Sequence, residues 1–384
     1  MITPYVNAAR PPADRSPFGR QALEFHRTIP GYRPTELRRL DSLARKLGIA
    51  ELLLKDESSR LGLPSFKILG AAWAIRQALG ERLGIPGEQA LSFDELRERS
   101  DALRPLGLAA ATDGNHGRAV ARVASMLGLS AHIFVPDGTA PARIEAIEQE
   151  GARLDVVPGG YDEAVARSAA CANERCLVIS DTSWPGYERV PRWVIEGYST
   201  ILWELEDQLQ GDGGHRPDVV LAQIGVGAFA AAVATHPLGP SRSSRTVAVE
   251  PERAACVLES LHAGRIVTLT HAQDSIMAGL KCGTPSVVAW PELAAWLDAS
   301  IAIADERARQ AMRLLAHAGV VAGEAGAAGL GGLLELLQRE QLEPVRASLG
   351  VGPHTRALIF CTEGATDPAA YRAIVGEYST ASSG

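Results

Sequence analysis

Residues 219–230 read Val-Val-Leu-Ala-Gln-Ile-Gly-Val-Gly-Ala-Phe-Ala. Residues 219–224 make a mostly aliphatic run of strand length, broken only by Gln223, two glycines follow it, and a helical pattern starts at Ala228. A strand that passes through glycines straight into a helix is half of a βαβ unit, and the first N–H groups of the helix then face the turn. Gly225, Val226, Gly227, Ala228, Phe229 and Ala230 also fit the G-x-G-x-x-A pattern, and Glu250 ends the next strand 25 residues after Gly225, as in dinucleotide sites. The same turn can cradle a single phosphate, because both designs use glycine N–H groups at a helix N-terminus. The segment asks for a phosphate without saying whose.

Outward from this unit the alternation runs through nearly the whole chain. Strands are expected at 52–55, 108–111, 131–135, 154–157 and 177–180, with helices at 66–83, 115–127, 141–150 and 161–173. A long helix over 191–209 carries Trp193, Ile195, Tyr198, Ile201, Leu202 and Leu205 on one broad apolar face. Further strands follow at 246–249, 301–304 and 357–361, with helices at 305–318 and 326–337 between the last two. This is an α/β chain of mostly parallel sheets flanked by helices, in which ligands bind at the carboxyl ends of strands. Its 384 residues suggest two domains.

Composition narrows the function class. With 46% hydrophobic and 22% charged residues and a net charge of −7, the chain reads as an ordinary soluble protein. There is no basic stripe for nucleic acid and no apolar run long enough for a membrane span. Five cysteines and nine histidines show no zinc spacing, so no metal is expected and the thiols read as buried small apolar residues. With no signal-type segment at the N-terminus, a reducing cytoplasm is the expected compartment.

Two more loops sit where strands meet helices. In Ser65-Phe66-Lys67 a lysine opens a helix, where the positive end of the dipole disfavours its ammonium form. A neutral amine or an imine suits that place, although a lysine there is by itself an ordinary surface residue. In Thr112-Asp113-Gly114-Asn115-His116-Gly117, two glycines and a capping asparagine free N–H groups to face a carboxylate, or simply form a turn.

Taken together and in this order, the loops resemble the pyridoxal-phosphate (PLP) enzymes of fold type II, the tryptophan synthase β and threonine dehydratase group. Within that group the chain is most similar to the diaminopropionate ammonia-lyase family. The resemblance rests on ESSRLGLPSFKIL at 57–69, ATDGNHGRAV at 111–120, DTSWPGYERVPRWVIEGY at 181–198 and the Gly225 loop. AGLKCGTP at 278–285, GEAGAAGLG at 323–331 and FCTEGATD at 360–367 continue it. It implies PLP as cofactor, a small domain near 69–194 inserted in a large PLP-binding domain of 1–68 and 195–384, and a homodimer.

The resemblance also implies roles. Lys67 would carry the cofactor as a Schiff base and then act as base at Cα. Asn115 would bond the cofactor's phenolic oxygen, the backbone of Gly225, Val226, Gly227, Ala228 and Phe229 would hold its phosphate, and the Thr362 hydroxyl would face the pyridine nitrogen. Thr112, Asp113, Gly114, Asn115 and His116 would receive the substrate carboxylate. In relatives acting on hydroxyamino acids a small hydroxyl group stands where this chain has Asp113. In the resembling family the matching aspartate is the base for the D-enantiomer, while lysine serves the L-form. Asp181 matches a second active-site aspartate that holds the distal amine. The expected reaction is loss of ammonia from 2,3-diaminopropionate, giving pyruvate and ammonia.

Departures are local: Ala228 stands where a serine is usual, and Ala365 where an acid is expected. Cys256 and Cys282 lie in or beside matched segments and could approach each other, although free thiols are expected in a cytosolic enzyme. The alternatives are a dehydratase or another β-elimination or β-replacement enzyme on a small β-substituted amino acid, and, more distantly, a dinucleotide-dependent oxidoreductase using the Gly225 loop. A non-catalytic binding protein on the same fold is disfavoured by the presence of the lysine and both aspartates.

Overall fold

The computed structural model describes residues 3–8, 18–112, 114–211, 216–238 and 244–376. Eleven strands are described: β1 (Tyr5–Val6), β2 (Leu37–Arg39), β3 (Glu51–Asp56), β4 (Gly107–Ala111), β5 (Ser130–Pro136), β6 (Arg153–Val157), β7 (Cys176–Val178), β8 (Val219–Gln223), β9 (Arg245–Pro251), β10 (Ala299–Ile303) and β11 (Arg356–Cys361). They form a seven-stranded sheet, ordered β1-β10-β9-β8-β11-β3-β2, and a four-stranded sheet, ordered β6-β5-β4-β7. The small sheet is wholly parallel, and the large one is parallel except where β1 and β2 run antiparallel at its edges. Strands β8 and β10 are buried along their whole length, as expected of runs of Val, Ile, Leu and Ala covered on both faces by helices.

Sheet order brings the chemistry together. β3, β11 and β8 are neighbours and parallel, with Ala357 opposite both Leu52 and Val219. The loops leaving their carboxyl ends lead to Lys67, Thr362 and Gly225. In the small sheet β4 and β7 are parallel neighbours, and the chain leaves them toward Asn115 and Asp181.

Two helices bind the halves to each other. Helix Lys67–Arg82 lies against helix Arg189–Gly211 through facing glycines. A Cβ on Gly70 would come within 2.5 Å of the Tyr198 ring, and one on Gly197 within 2.6 Å of the Leu69 carbonyl oxygen. One hydrophobic cluster, containing Leu53, Ile75, Ile133, Ile179, Ile201 and Ala222, runs through both sheets. The buried His26, whose pKa burial lowers to about 3, links the first helix to the Leu69 carbonyl at 2.9 Å and to Thr200 Oγ1 at 2.8 Å.

Beneath the segment that leads to Lys67 lies a sealed ion cluster. Arg60 bonds both oxygens of Glu57, at 2.6 and 2.8 Å, and both of Glu204, at 2.7 and 2.8 Å. Lys55 Nζ donates to Glu204 at 2.8 Å and to the Thr35 carbonyl at 2.8 Å. The Tyr32 hydroxyl donates to Glu204 at 2.5 Å, and Thr35 Oγ1 to Glu57 at 2.6 Å. All four charged side chains are buried, which a structure tolerates only when each is paired and hydrogen-bonded.

Sequence and structure differ in instructive places. The strand expected at 177–180 stops at Val178, because Ser180 turns away and donates its N–H to the Tyr187 hydroxyl. The helix expected to reach 173 ends at Ala169, where Asn173 pairs with Cys176 in a tight bridge. The edge strands β1 and β2 are two and three residues long, too short for alternation to announce them.

Candidate active site

Lys67 is the first residue of its helix, its N–H accepted by Ser65 Oγ at 3.2 Å. Its Nζ donates to Asp181 Oδ2 at 2.7 Å and lies 5.6 Å from the centre of the Phe66 ring and 6.0 Å from that of Tyr198. Phe66, Tyr198, Phe229 and Phe360 stack edge-on and tilted as a wall, at centroid distances of 4.7 to 5.0 Å for successive contacts. Asp181 also accepts from the Tyr161 hydroxyl at 3.2 Å, and His116 Nδ1 lies 4.0 Å away. Burial alone would raise the Asp181 pKa; Lys67 and His116, with the bonds from Lys67 and Tyr161, outweigh it and hold the carboxyl well below the usual range.

The Gly225 loop is built for close approach. A Cβ on Gly225 would stand 3.0 Å from the Gly279 carbonyl and 3.1 Å from Cys282 Sγ. Gly227 caps helix Ala228–Thr235 at φ +101°, where a Cβ would meet Leu293 Cδ1 at 2.5 Å. The start of that helix lines the cavity, and its first N–H groups have no partner within the helix, the arrangement that takes a phosphate.

Opposite, the Asn115 side-chain amide donates to Glu363 Oε2, and the Ala325 N–H donates to Glu363 Oε1 at 3.2 Å. Glu363 is threaded between segments: its residue bridges Ser65, and the next N–H, that of Gly364, bonds the Pro64 carbonyl at 2.9 Å. A Cβ on Gly326 would lie 2.2 Å from the Glu363 carbonyl, which is why the 323–331 segment is so rich in glycine. Gln223, at the end of β8, donates to Thr362 Oγ1 at 2.8 Å.

These groups line one cavity of about 810 Å³, and Lys67, Asn115, Asp181, Gly225, Val226, Gly227, Ala228, Phe229 and Thr362 all reach it. Three other expected site residues lie behind its wall. Thr112 Oγ1 accepts the Gly114 N–H at 2.9 Å, Gly114 sits at φ +150°, and the buried His116 bonds the Ile179 carbonyl at 2.7 Å through Nε2. Asp113 lies outside the described residues. Sequence reasoning missed Gln223, the polar residue that ends the otherwise apolar β8, and Tyr161 and Arg143, which reach the cavity; Glu324 and Glu363, which also reach it, fall in segments that carried the resemblance but were given no role. Burial raises the pKa of Glu324.

The distant dinucleotide alternative falls. A dinucleotide site needs an acid free to bind a ribose, whereas the fully buried Glu250 accepts N–H groups from Val257 at 2.9 Å and Leu258 at 2.8 Å, and Ser300 Oγ at 3.4 Å. It caps helix Cys256–Ala263 and cannot reach a ligand. Cys256 and Cys282 are not joined in a disulfide, and Cys256 Sγ lies against the Gly225 carbonyl at 3.8 Å. Among the described residues there is no cluster able to hold a metal ion, and no helix is long and apolar enough to cross a membrane.

The remaining geometry fits PLP: a glycine cradle for one phosphate, a lysine amine in the same cavity, an asparagine amide and a threonine hydroxyl. Comparison with known proteins agrees. Residues 28–349 match the model of the pyridoxal-phosphate dependent enzyme family. The chain is 36% identical over 364 residues to diaminopropionate ammonia-lyase of Escherichia coli strain K12, covering 93% of this chain and 90% of that one. It is 33% identical over 370 residues to the Salmonella typhimurium enzyme of the same name, covering 93% and 91%. The crystal structure of the Escherichia coli enzyme in complex with an aminoacrylate–PLP azomethine reaction intermediate superposes with a TM-score of 0.87 over 98% of this chain and 97% of that one, at 36% identity. The chain therefore belongs to the pyridoxal-phosphate dependent enzymes of fold type II, in the diaminopropionate ammonia-lyase family.

Proposed function

We propose that the chain eliminates ammonia from 2,3-diaminopropionate with PLP as cofactor. The observation that carries this reading is the Lys67–Asp181 contact at 2.7 Å in the cavity that also holds the glycine cradle. A carboxylate kept ionised beside the reacting lysine suits a substrate with a second, cationic amine, whereas a hydroxyamino acid offers it a hydrogen bond but no opposite charge.

When bound, PLP supplies an electrophilic carbon for the substrate's α-amine and a conjugated ring that takes up the electron pair left at Cα. The N–H groups of Gly225 to Phe229 hold the phosphate, Asn115 the phenolic oxygen and Thr362 the ring nitrogen. The loop that carries Asn115 into the cavity, braced from behind by Thr112 and His116, orients the substrate carboxylate. Lys67 Nζ removes the Cα proton of one enantiomer, and Asp113, by its place in that loop, serves the other. Asp181, with Tyr161, keeps the β-nitrogen as an ammonium, so that it departs as neutral ammonia. The organic product leaves as an enamine, which water converts to pyruvate and a second ammonia.

The reading extends to a small unit at 69–194 that closes on a large one made of 1–68 and 195–384. The Ser183–Ser286 hydroxyl bond at 2.7 Å and the bond from the Val288 N–H to Ser183 Oγ at 3.1 Å are contacts across that divide. The protein works as a cytoplasmic homodimer. The test is the absorption spectrum of the purified protein with a pyruvate assay on D- and L-2,3-diaminopropionate. A lysine-bound cofactor band, lost in Lys67→Ala, together with pyruvate from either enantiomer, is the expected result. A band without pyruvate overturns the substrate.

A further inference from the structure

Strand β8 reads Val-Val-Leu-Ala-Gln, four apolar residues and then an amide that is as buried as they are. A buried amide must find partners for two hydrogens and one oxygen. The Gln223 nitrogen is surrounded by oxygens: the carbonyls of Ala325 at 3.1 Å, Gly326 at 3.4 Å and Phe360 at 3.1 Å, and Thr362 Oγ1 at 2.8 Å. Its oxygen Oε1 has no hydrogen-bond partner among the described residues and faces Gly329, whose added Cβ would stand 3.3 Å away.

This environment fixes which way the amide is turned. In the opposite orientation Oε1 would confront three carbonyl oxygens, and two hydrogens would be stranded instead of one acceptor. The nitrogen therefore faces Thr362, and the Thr362 oxygen accepts from it. A threonine hydroxyl has one hydrogen, and its oxygen is already engaged as an acceptor. Thr362 is buried and lines the cavity.

We propose that Gln223 is a positioning residue: by holding the Thr362 oxygen as an acceptor, it leaves the Thr362 hydroxyl to act as a hydrogen-bond donor into the cleft. The inference rests on the reading of Thr362 as the partner of the ring nitrogen. Lys67 and Thr362 line the same cavity, so Thr362 would be the hydroxyl available to that nitrogen when the cofactor is bound. A neutral hydroxyl that can only donate bonds the nitrogen's lone pair without protonating it. This limits how much charge the ring withdraws and favours prompt loss of the β-group over reprotonation elsewhere. The same amide ties the strand end to the 323–331 loop, so the hydroxyl's aim and the loop's position are set together.

The test uses holoenzyme carrying cofactor labelled with nitrogen-15 in the ring, read by NMR, with steady-state kinetics in parallel. In the parent the ring nitrogen is expected between the shifts of free and protonated pyridine. Thr362→Ala should move it to the free value, and Gln223→Met, which keeps volume without a donor, should move it most of the way. Gln223→Met should lower kcat about tenfold with KM changed less than about twofold, and the double variant should be no slower than Thr362→Ala alone. If Thr362→Ala moves the shift and Gln223→Met leaves it in place, the role of Gln223 is overturned while Thr362 keeps its own. If Thr362→Ala leaves the shift in place, the Thr362 reading falls and this inference with it. Multiplicative losses in the double variant also overturn it. Should Gln223→Met fail to fold, neutron diffraction of the parent holoenzyme decides: a deuteron on Thr362 Oγ1 pointing into the cleft supports the inference, and one pointing at the Phe360 carbonyl or at Gln223 overturns it.

Discussion

Two regions of this molecule set acids against bases at short range, one sealed and one open to a cavity. In the sealed cluster, Glu57 and Glu204 share Arg60 and Lys55 with nearly every oxygen and hydrogen engaged. In the cavity, Asp181 faces Lys67 across one short bond, with the lysine side chain 22% exposed and an open space alongside. The first arrangement has no room for another partner and serves to hold β3 against helix Arg189–Gly211. The second can exchange its cation for a substrate's, because the lysine has other work and the space admits a replacement. The same pair chemistry becomes scaffold or machinery according to saturation and access.

The sharpest way to break the comparison is to remove one charged partner from each region. Lys67→Ala should lower elimination by at least about 10⁴-fold while the apo chain loses only ~3 °C in Tm, checked by pyruvate assay and calorimetry. Glu204→Ala should do the reverse and cost about 3–5 kcal/mol in denaturant unfolding by stranding Lys55 and Arg60, with KM of the folded fraction unchanged. If Glu204→Ala proves as stable as the parent, the cluster is no scaffold.

Asp181→Asn should load cofactor normally but lose about 10²-fold in kcat/KM on diaminopropionate, measured against a β-substituted alanine lacking the second amine, which should be far less affected.

Acid titration separates the regions further. Glu204 is pushed up by burial but held down to about 2 by Arg60 and Lys55, against an ordinary 4.5. Its contribution to stability is therefore complete above pH 4.5 and is lost as pH falls through 2, and Glu204→Gln should flatten that limb of the unfolding profile. Glu250 provides the control, a buried carboxylate with N–H donors and no cation beside it. Burial pushes it up to about 8. Its contribution is complete below 4.5 and lost as pH rises through 8, so the Tm advantage of Glu250→Gln over the parent should grow between those values by a few degrees. This is the smallest effect of the set.

How much of this could be read from the chain follows from the range of each interaction. The β8 turn, the lysine at its helix start and the Gly114-Asn115 turn are local patterns visible in the sequence, although each alone was ambiguous and the expected roles came from the resemblance of the whole set. Periodicity also found the strands whose carboxyl ends meet at the cavity. It did not find the cluster, since Lys55 and Arg60 look like solvated charges until Glu204 arrives from 149 and 144 residues away. Nor did it find Gln223 and Glu363, whose partners lie as far off as 139 and 248 residues. Spacing in sequence is silent about such pairs, and only sheet order creates them.

The sealed cluster also constrains the order in which the chain can be completed. Tyr32, Thr35, Lys55, Glu57 and Arg60 emerge early in synthesis, but the carboxylate that balances them belongs to residue 204. Until then the nascent N-terminal segment holds two cations against one acid and cannot dehydrate, so β3 has no favourable way to bury. The strands of the small sheet, residues 107–178, are all made within that interval and can assemble from near neighbours in sequence. Glu204 thus follows every strand of the small sheet in the chain and precedes β8 to β11, so the acid that balances Lys55 and Arg60 stands between the small sheet and the later strands of the large one.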